Sequence, residues 1–364
     1  MNRKLMRKPA FNALLGLFIV ALSCKSTVST TQVKPKTPQE SVARFMVTEQ
    51  VPGMAISVSK HGKLIWSEGF GYADITNKIK VSPDSTLFRI ASISKSISAV
   101  SLATLVDAKK IHLDSSLYLY LPNYPKKAYD FTLRQVGGHT AGIRHYRGRE
   151  FLLNKKLSIS EGISIFKNDR LLFEPQTKFK YSTYGWNLLS EVIQTVAKIP
   201  FGTYTAKTIF EPLKMEHTLL DYCDSIIPNR TTFYMKRKSG GVYQGKTVCN
   251  EFKAAGGGFL STSEDLVKFG NEMIHPKIIS PEVLKELVTP QILTTGKSTH
   301  YGVGFFSYNT KNNSPKYSHS GGGVGASTLL LIYPEEDVVI AIVSNLSNVP
   351  ISKLGSELEA FFVD

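Results

Sequence analysis

An α+β fold is predicted: one antiparallel sheet built from both ends of the chain and flanked by helices, with a mainly helical region inserted between the two halves. Three features of the sequence predict it. Residues 54–59 and 64–72 alternate in polarity about His61-Gly62, the pattern of a hairpin near the start of the chain. Four further runs, 302–308, 316–319, 327–332 and 338–343, have strand character and are separated by turn formers. The long interval 92–287 reads instead as helix and loop. Strands at the two ends bury a common face by pairing with each other, which draws both halves into one sheet.

The first residues stand apart from this pattern. Arg3, Lys4, Arg7 and Lys8 precede an almost wholly apolar run, 11–22, which is short for a membrane span and ends in Ser23-Cys24. Residues 1–23 therefore read as a signal peptide. The small residue before cysteine resembles a bacterial lipobox, although Leu22 is bulkier than usual there. Cys24 is the expected lipidation site, which makes the product an exported, membrane-anchored lipoprotein of the bacterial envelope, in the periplasm or outer membrane. An ordinary cleaved signal and a mitochondrial presequence are the alternatives; no acidic residue precedes Glu40, yet the run is uniformly apolar where transit peptides are amphipathic. Residues 24–39, rich in Ser, Thr, Lys, Gln and Pro, cannot bury enough surface to fold and read as a flexible tether. The catalytic domain is expected over 40–364, opening with a helix near 38–49 and closing with one near 351–362.

The chemistry starts at Ser92-Ile93-Ser94-Lys95. A serine hydroxyl is a poor nucleophile until a base takes its proton, and an amine three residues on along a helix lies on the same face. Phe88-Arg89-Ile90-Ala91 leads into the motif as a strand-like approach, and Ile97, Val100, Leu102, Ala103 and Val106 bury the helix behind it. Polar groups at the mouth of a buried helix need partners or a purpose. Two more motifs follow. Tyr181-Ser182-Thr183 precedes a helix with apolar Leu188, Leu189, Val192 and Ile193, and His319-Ser320-Gly321 ends a short strand before a turn expected at Gly321-Gly322-Gly323.

In this order and at these distances the three motifs resemble the serine β-lactamase and penicillin-binding-protein superfamily, in its class C branch with related esterases and D-amino-acid peptidases. The resemblance covers residues 40–364. The stretches at 89–96, 143–146, 181–183 and 255–262 are most like the mitochondrial serine β-lactamase-like proteins of animals. It implies the β-lactamase/transpeptidase-like fold, with Ser92 as the acylated nucleophile, Lys95 and Tyr181 sharing its proton, and backbone N–H groups of Ser92 and Gly322 forming the oxyanion hole. Thr183, His319, Ser320 and Gly321 are the implied substrate-binding residues. His319 stands where many relatives carry lysine or histidine, beside the substrate's trailing group. Thr183 departs from the family's Tyr-x-Asn, whose amide grips the substrate's acyl-amide. Both departures point away from carboxylate-reading β-lactam or D-Ala-D-Ala chemistry and towards a neutral ester or internal amide. His139 and His145 read as structural.

The implied activity is an exported serine hydrolase acting through an acyl-enzyme on a small-molecule or peptide substrate. A D-alanyl carboxypeptidase or true class C β-lactamase is the second reading, and a non-catalytic polymerising scaffold the third; oligomeric state stays open. No cofactor is expected. Glu272 and His275 have a spacing seen at metal sites but lack a second pair, so no metal is inferred, and the glycine runs lack the Lys-Ser/Thr of a phosphate loop. Of the net charge of +15, about +11 remains without residues 1–23, yet no basic helix, zinc-finger spacing or aromatic platform suggests nucleic acid. Cys223 and Cys249 flank a hairpin predicted over 232–236 and 242–247 about Ser239-Gly240-Gly241; one disulfide or two buried thiols are both compatible with that placement.

Overall fold

The computed structural model describes residues 35–363. The expected signal peptide and Cys24 lie outside the described residues. A compact unit starts at Lys36, and its first helix, Pro38–Glu49, is capped by the Thr37 side chain with Pro38 in the first turn, so the fold begins inside the expected 24–39 tether.

Among the described residues twelve strands follow. They are β1 (Gly53–Lys60), β2 (Lys63–Asp74), β3 (Ile79–Lys80), β4 (Phe88–Arg89), β5 (Leu219–Leu220), β6 (Tyr234–Lys236), β7 (Val242–Gln244), β8 (Phe259–Ser261), β9 (Phe306–Asn309), β10 (Pro315–Gly323), β11 (Ala326–Tyr333) and β12 (Val338–Ser344). Seven form one antiparallel sheet in the order β3-β2-β1-β12-β11-β10-β9, so the two ends of the chain meet where β1 pairs with β12. The β-lactamase/transpeptidase-like layout expected from the sequence is the one observed.

Both faces of the central strands are buried. On β12, Val338, Ile340 and Ile342 pack with Val42 and Phe45 of the first helix and Leu354 and Leu358 of the last, Ile351–Phe362. Val339, Ala341 and Val343 face the opposite way, into the core shared with the helical insertion. The period of two thus sorts one continuous apolar run between two cores.

Two strand boundaries differ from the sequence reading. Only Phe306–Asn309 of the expected 302–308 is a strand, because Gly304 takes φ +85° and turns the chain beside the helix Ser94–Asp107. In contrast, β10 does not end near His319. It runs through all three glycines, which pair with β11 as Gly321↔Thr328, Gly322↔Ser327 and Gly323↔Ala326, so the turn follows at Val324-Gly325. Consecutive glycines signal a turn when nothing else explains them; here the missing side chains let a strand lie against a neighbouring turn.

A small second sheet, β4-β8-β5, brings the approach to Ser92 beside the segment 255–262: Phe88 pairs with Ser261, and Arg89 with Leu260. The predicted hairpin forms as β6 and β7, and a disulfide joins Cys223 to Cys249, with their Cα atoms 5.0 Å apart. Among the described residues no helix is long and apolar enough to cross a membrane.

Candidate active site

After β4 the backbone turns sharply. Ala91 adopts φ +46°, a single 3₁₀ turn spans Ala91–Ile93, and the helix Ser94–Asp107 begins at once. Ser92 is left partly open at the mouth of this helix while Ala91, Ile93, Ser94 and Lys95 are buried. The Ser-x-x-Lys pair therefore straddles a 3₁₀-to-α junction.

Lys95 has no exposed surface. Its Nζ lies 3.0 Å from Ser92 Oγ and 3.3 Å from Thr183 Oγ1, and it also reaches the carbonyl oxygen of Gly256. With no carboxylate among those partners, burial drives the amine well below the ordinary lysine range. A neutral amine has two N–H groups and one lone pair. Gly256 O and Thr183 Oγ1 can take the two hydrogens, leaving the lone pair for the Ser92 hydroxyl proton.

Tyr181 sits across from this pair, its ring centroid 4.9 Å from Lys95 Nζ, and it shares a hydrogen bond with the Ser92 side chain. Burial lifts its phenol above the usual range, opposed by that hydrogen bond. Lysine is pushed down and tyrosine up, so Lys95 is the group poised to accept a proton and Tyr181 stands as the neutral phenol.

The Tyr181 segment is held by two imidazoles. His139 Nδ1 accepts the Ser182 backbone N–H at 3.1 Å, and His145 Nδ1 accepts that of Thr183 at 3.1 Å. Ser182 caps the helix Thr183–Ala197 by accepting from the Gly185 N–H and donates its hydroxyl proton to the carbonyl of Arg144. The Arg144 guanidinium is tied to Glu150 and Asp169, and the Tyr184 hydroxyl also donates to Glu150. The loop 143–150 and the Tyr181 helix are thereby locked together.

Ser92, Tyr181, Thr183, His145 and Gly322 line one cavity of about 420 Å³. Gly322 faces open space there, whereas a Cβ on Gly321 would lie 2.3 Å from the carbonyl oxygen of Ile90. Only glycine lets β10 lie this close to the nucleophile turn. Residues 39–357 match the Beta-lactamase family.

The chain belongs to the β-lactamase family. It is 29% identical over 419 residues to the human "Serine beta-lactamase-like protein LACTB, mitochondrial", covering 85% of this chain and 76% of the relative. It is 25% identical over 325 residues to "Protein flp" of Staphylococcus aureus strain N315, covering 86% of this chain and 64% of that protein. Among solved structures, the octameric penicillin-binding protein homologue from Pyrococcus abyssi superposes with a TM-score of 0.79 at 23% identity, over 89% of this chain and 76% of that one. D-amino acid amidase from Ochrobactrum anthropi SV3 superposes with a TM-score of 0.76 at 21% identity, over 89% and 99%.

Within this family frame, His319 stands beside Tyr181 but is enclosed by the protein. It is 2% exposed and does not line the cavity. Its Nε2 meets the Tyr301 hydroxyl at 3.0 Å and its Nδ1 meets the Ser320 carbonyl oxygen at 2.7 Å, so both ring nitrogens are engaged within the protein. Burial first, and the nearby Lys95 second, push it down to about 3. Ser320 is exposed but also outside the cavity lining, and Gly321 serves by close packing. His319 nevertheless stays close to the reacting groups, its ring centroid 6.2 Å from that of Tyr181.

Lys253 carried no readable signal in the sequence, and Arg89 and Tyr146 were marked only as parts of the stretches 89–96 and 143–146. Tyr146, Arg89 and Lys253 all line the space in front of Ser92. Arg89 donates from Nε to Asp221 Oδ2 at 2.6 Å in a buried ion pair, and Asp221 also accepts from Arg230 and Asn250.

Proposed function

We propose that this protein is an exported serine hydrolase that cleaves a peptide, amide or ester through an acyl-enzyme on Ser92. The observation that carries the reading is the fully buried Lys95 amine 3.0 Å from the Ser92 hydroxyl. Lys95 takes the hydroxyl proton as Oγ bonds to the substrate carbonyl carbon. The oxyanion is held by the backbone N–H groups of Ser92 and Gly322. As the tetrahedral species collapses, the leaving amine or alcohol takes a proton handed on through Tyr181. Water then enters, loses a proton to the Lys95–Tyr181 pair, and releases the acid and free Ser92.

A fluorophosphonate probe is expected to modify the peptide containing Ser92, and Ser92→Ala to abolish the label in mass spectrometry. An adduct on Ser94 or Ser98, both fully buried, would overturn the assignment. Thr183, in the place of the family's asparagine, supports at most weak β-lactam turnover.

Anchoring through Cys24 belongs to the same reading. It rests on the charged head, apolar run and small-residue-cysteine junction of the sequence. Cells fed a labelled fatty acid are expected to tag the wild type and not Cys24→Ser; an unmodified mature chain beginning elsewhere would reject it. A mitochondrial location, carried by the name of the human relative, is the other reading.

A further inference from the structure

The wall of the Ser92 cavity is positively charged in a way that acylation does not use. Arg89 and Lys253 line it, and no aspartate or glutamate does. The charge of Arg89 is met from behind by Asp221, and its other nitrogens reach the carbonyl oxygens of Val324 and Val248. Lys253 has no such counter-charge. Its side chain is 7% exposed, and its Nζ donates to two neutral acceptors, Phe151 O at 2.8 Å and Asn250 Oδ1 at 2.8 Å. An ammonium has three N–H groups, so one donor remains on a residue that faces the cavity.

A buried cation without a carboxylate partner is costly to keep charged. The groups facing Lys253 are Arg89 from β4, which opposes its charge, Asp221 beyond β5, which favours it, and the Tyr146 ring, 5.8 Å away. Burial dominates, with Arg89 next, and together they bring the amine down to about 7. An anion in the cavity would restore the proton and occupy the third donor.

We propose that Lys253 is the specificity-determining residue of this site: the substrate carries a carboxylate that enters the cavity with the scissile bond and binds the Lys253 ammonium. This rests on the acyl-enzyme reading above and names its substrate class. It also changes the expectation drawn from His319. That position offers no charge, but the anion-reading role is filled from a different part of the wall, on the segment between Cys249 and Gly256.

The test compares esters that differ in one charge. One arm uses mono-p-nitrophenyl esters of dicarboxylic acids of increasing length against their methyl esters, placing the anion in the acyl half. The other uses 3-carboxyphenyl butyrate against its methyl ester, placing the anion in the leaving group. At about pH 6 the wild type is expected to favour the charged member of one arm by about 10- to 100-fold in kcat/KM, the range of a hydrogen bond to a charged group. That preference is expected to fade as pH rises through about 7. Lys253→Met is expected to erase it at every pH, while Lys253→Arg, charged throughout, keeps it at about pH 8 and above. A purely structural role for Lys253 would not move the pH dependence or be rescued by arginine. Equal kcat/KM for charged and neutral esters in both arms, with Ser92 still labelled, would overturn this inference alone. No turnover of any ester together with no label on Ser92 would overturn both readings.

Discussion

Lys95→Ala and Tyr181→Phe are each expected to slow acylation by roughly 10² to 10⁴, the usual worth of a positioned proton transfer. The double variant is expected to lose far less than the product, since Lys95 and Tyr181 meet at the same Ser92 oxygen and serve one proton path. Pre-steady-state acylation of the four proteins by an activated ester measures this directly. Full additivity would mean that the two side chains act in separate steps. The wild-type rate also carries a sign. Burial lowers the Lys95 amine, and the neutral form is the base, so acylation is expected to rise with pH through that lowered value.

Acid is expected to destabilise the protein through its buried imidazoles as pH falls below about 6.5. His139, His145 and His319 are all held below the ordinary imidazole range, with burial the first cause in each; His145 is brought to about 4 and His319 to about 3. The unfolded chain takes up a proton near about 6.5, and the folded chain cannot until far lower, so the unfolded state binds more protons across that window and stability falls as pH falls. For His319 alone the loss by about pH 4.5 is about 3 kcal/mol. His139 adds in the same direction, and His145 adds less because the residue is only half-buried. Urea unfolding followed between about pH 7 and about pH 4.5 reads the slope, at about 1.4 kcal/mol per pH unit for each proton. A flat curve would show that the three imidazoles are not held neutral.

The sheet was legible because its strands obey a simple period. In β11 and β12, alternating apolar residues serve two cores, and the closing helix repeats its apolar face in step. Ser92, Lys95 and Tyr181 were legible because their chemistry ties residue type to spacing. The enclosure of His319 was not, because a motif position does not reveal that Tyr301 and the Ser320 carbonyl take up both ring nitrogens. The places of Lys253 and Arg89 in the cavity wall were invisible for another reason. Their neighbours are supplied by β4, the segment around Asp221 and the loop 143–150, and no local pattern records a cavity wall assembled from three distant parts of the chain. The disulfide was left undecided because cysteine spacing fixes proximity only once the hairpin between them is folded.

Ala91 shows how the cavity mouth keeps its width. The residue holds a left-handed backbone at φ +46°, at an expense of about 1 to 3 kcal/mol that glycine would largely remove. The turn faces the strand with the Ile90 carbonyl and the Ala91 methyl: an ideal Cβ on Gly321 would fall 2.3 Å from Ile90 O and 3.2 Å from Ala91 Cβ. The two groups together set how near β10 lies to the nucleophile turn. The stability given up at this strained turn holds Ser92 and the glycine strand at a fixed separation, so the spacing of the site is built into the backbone.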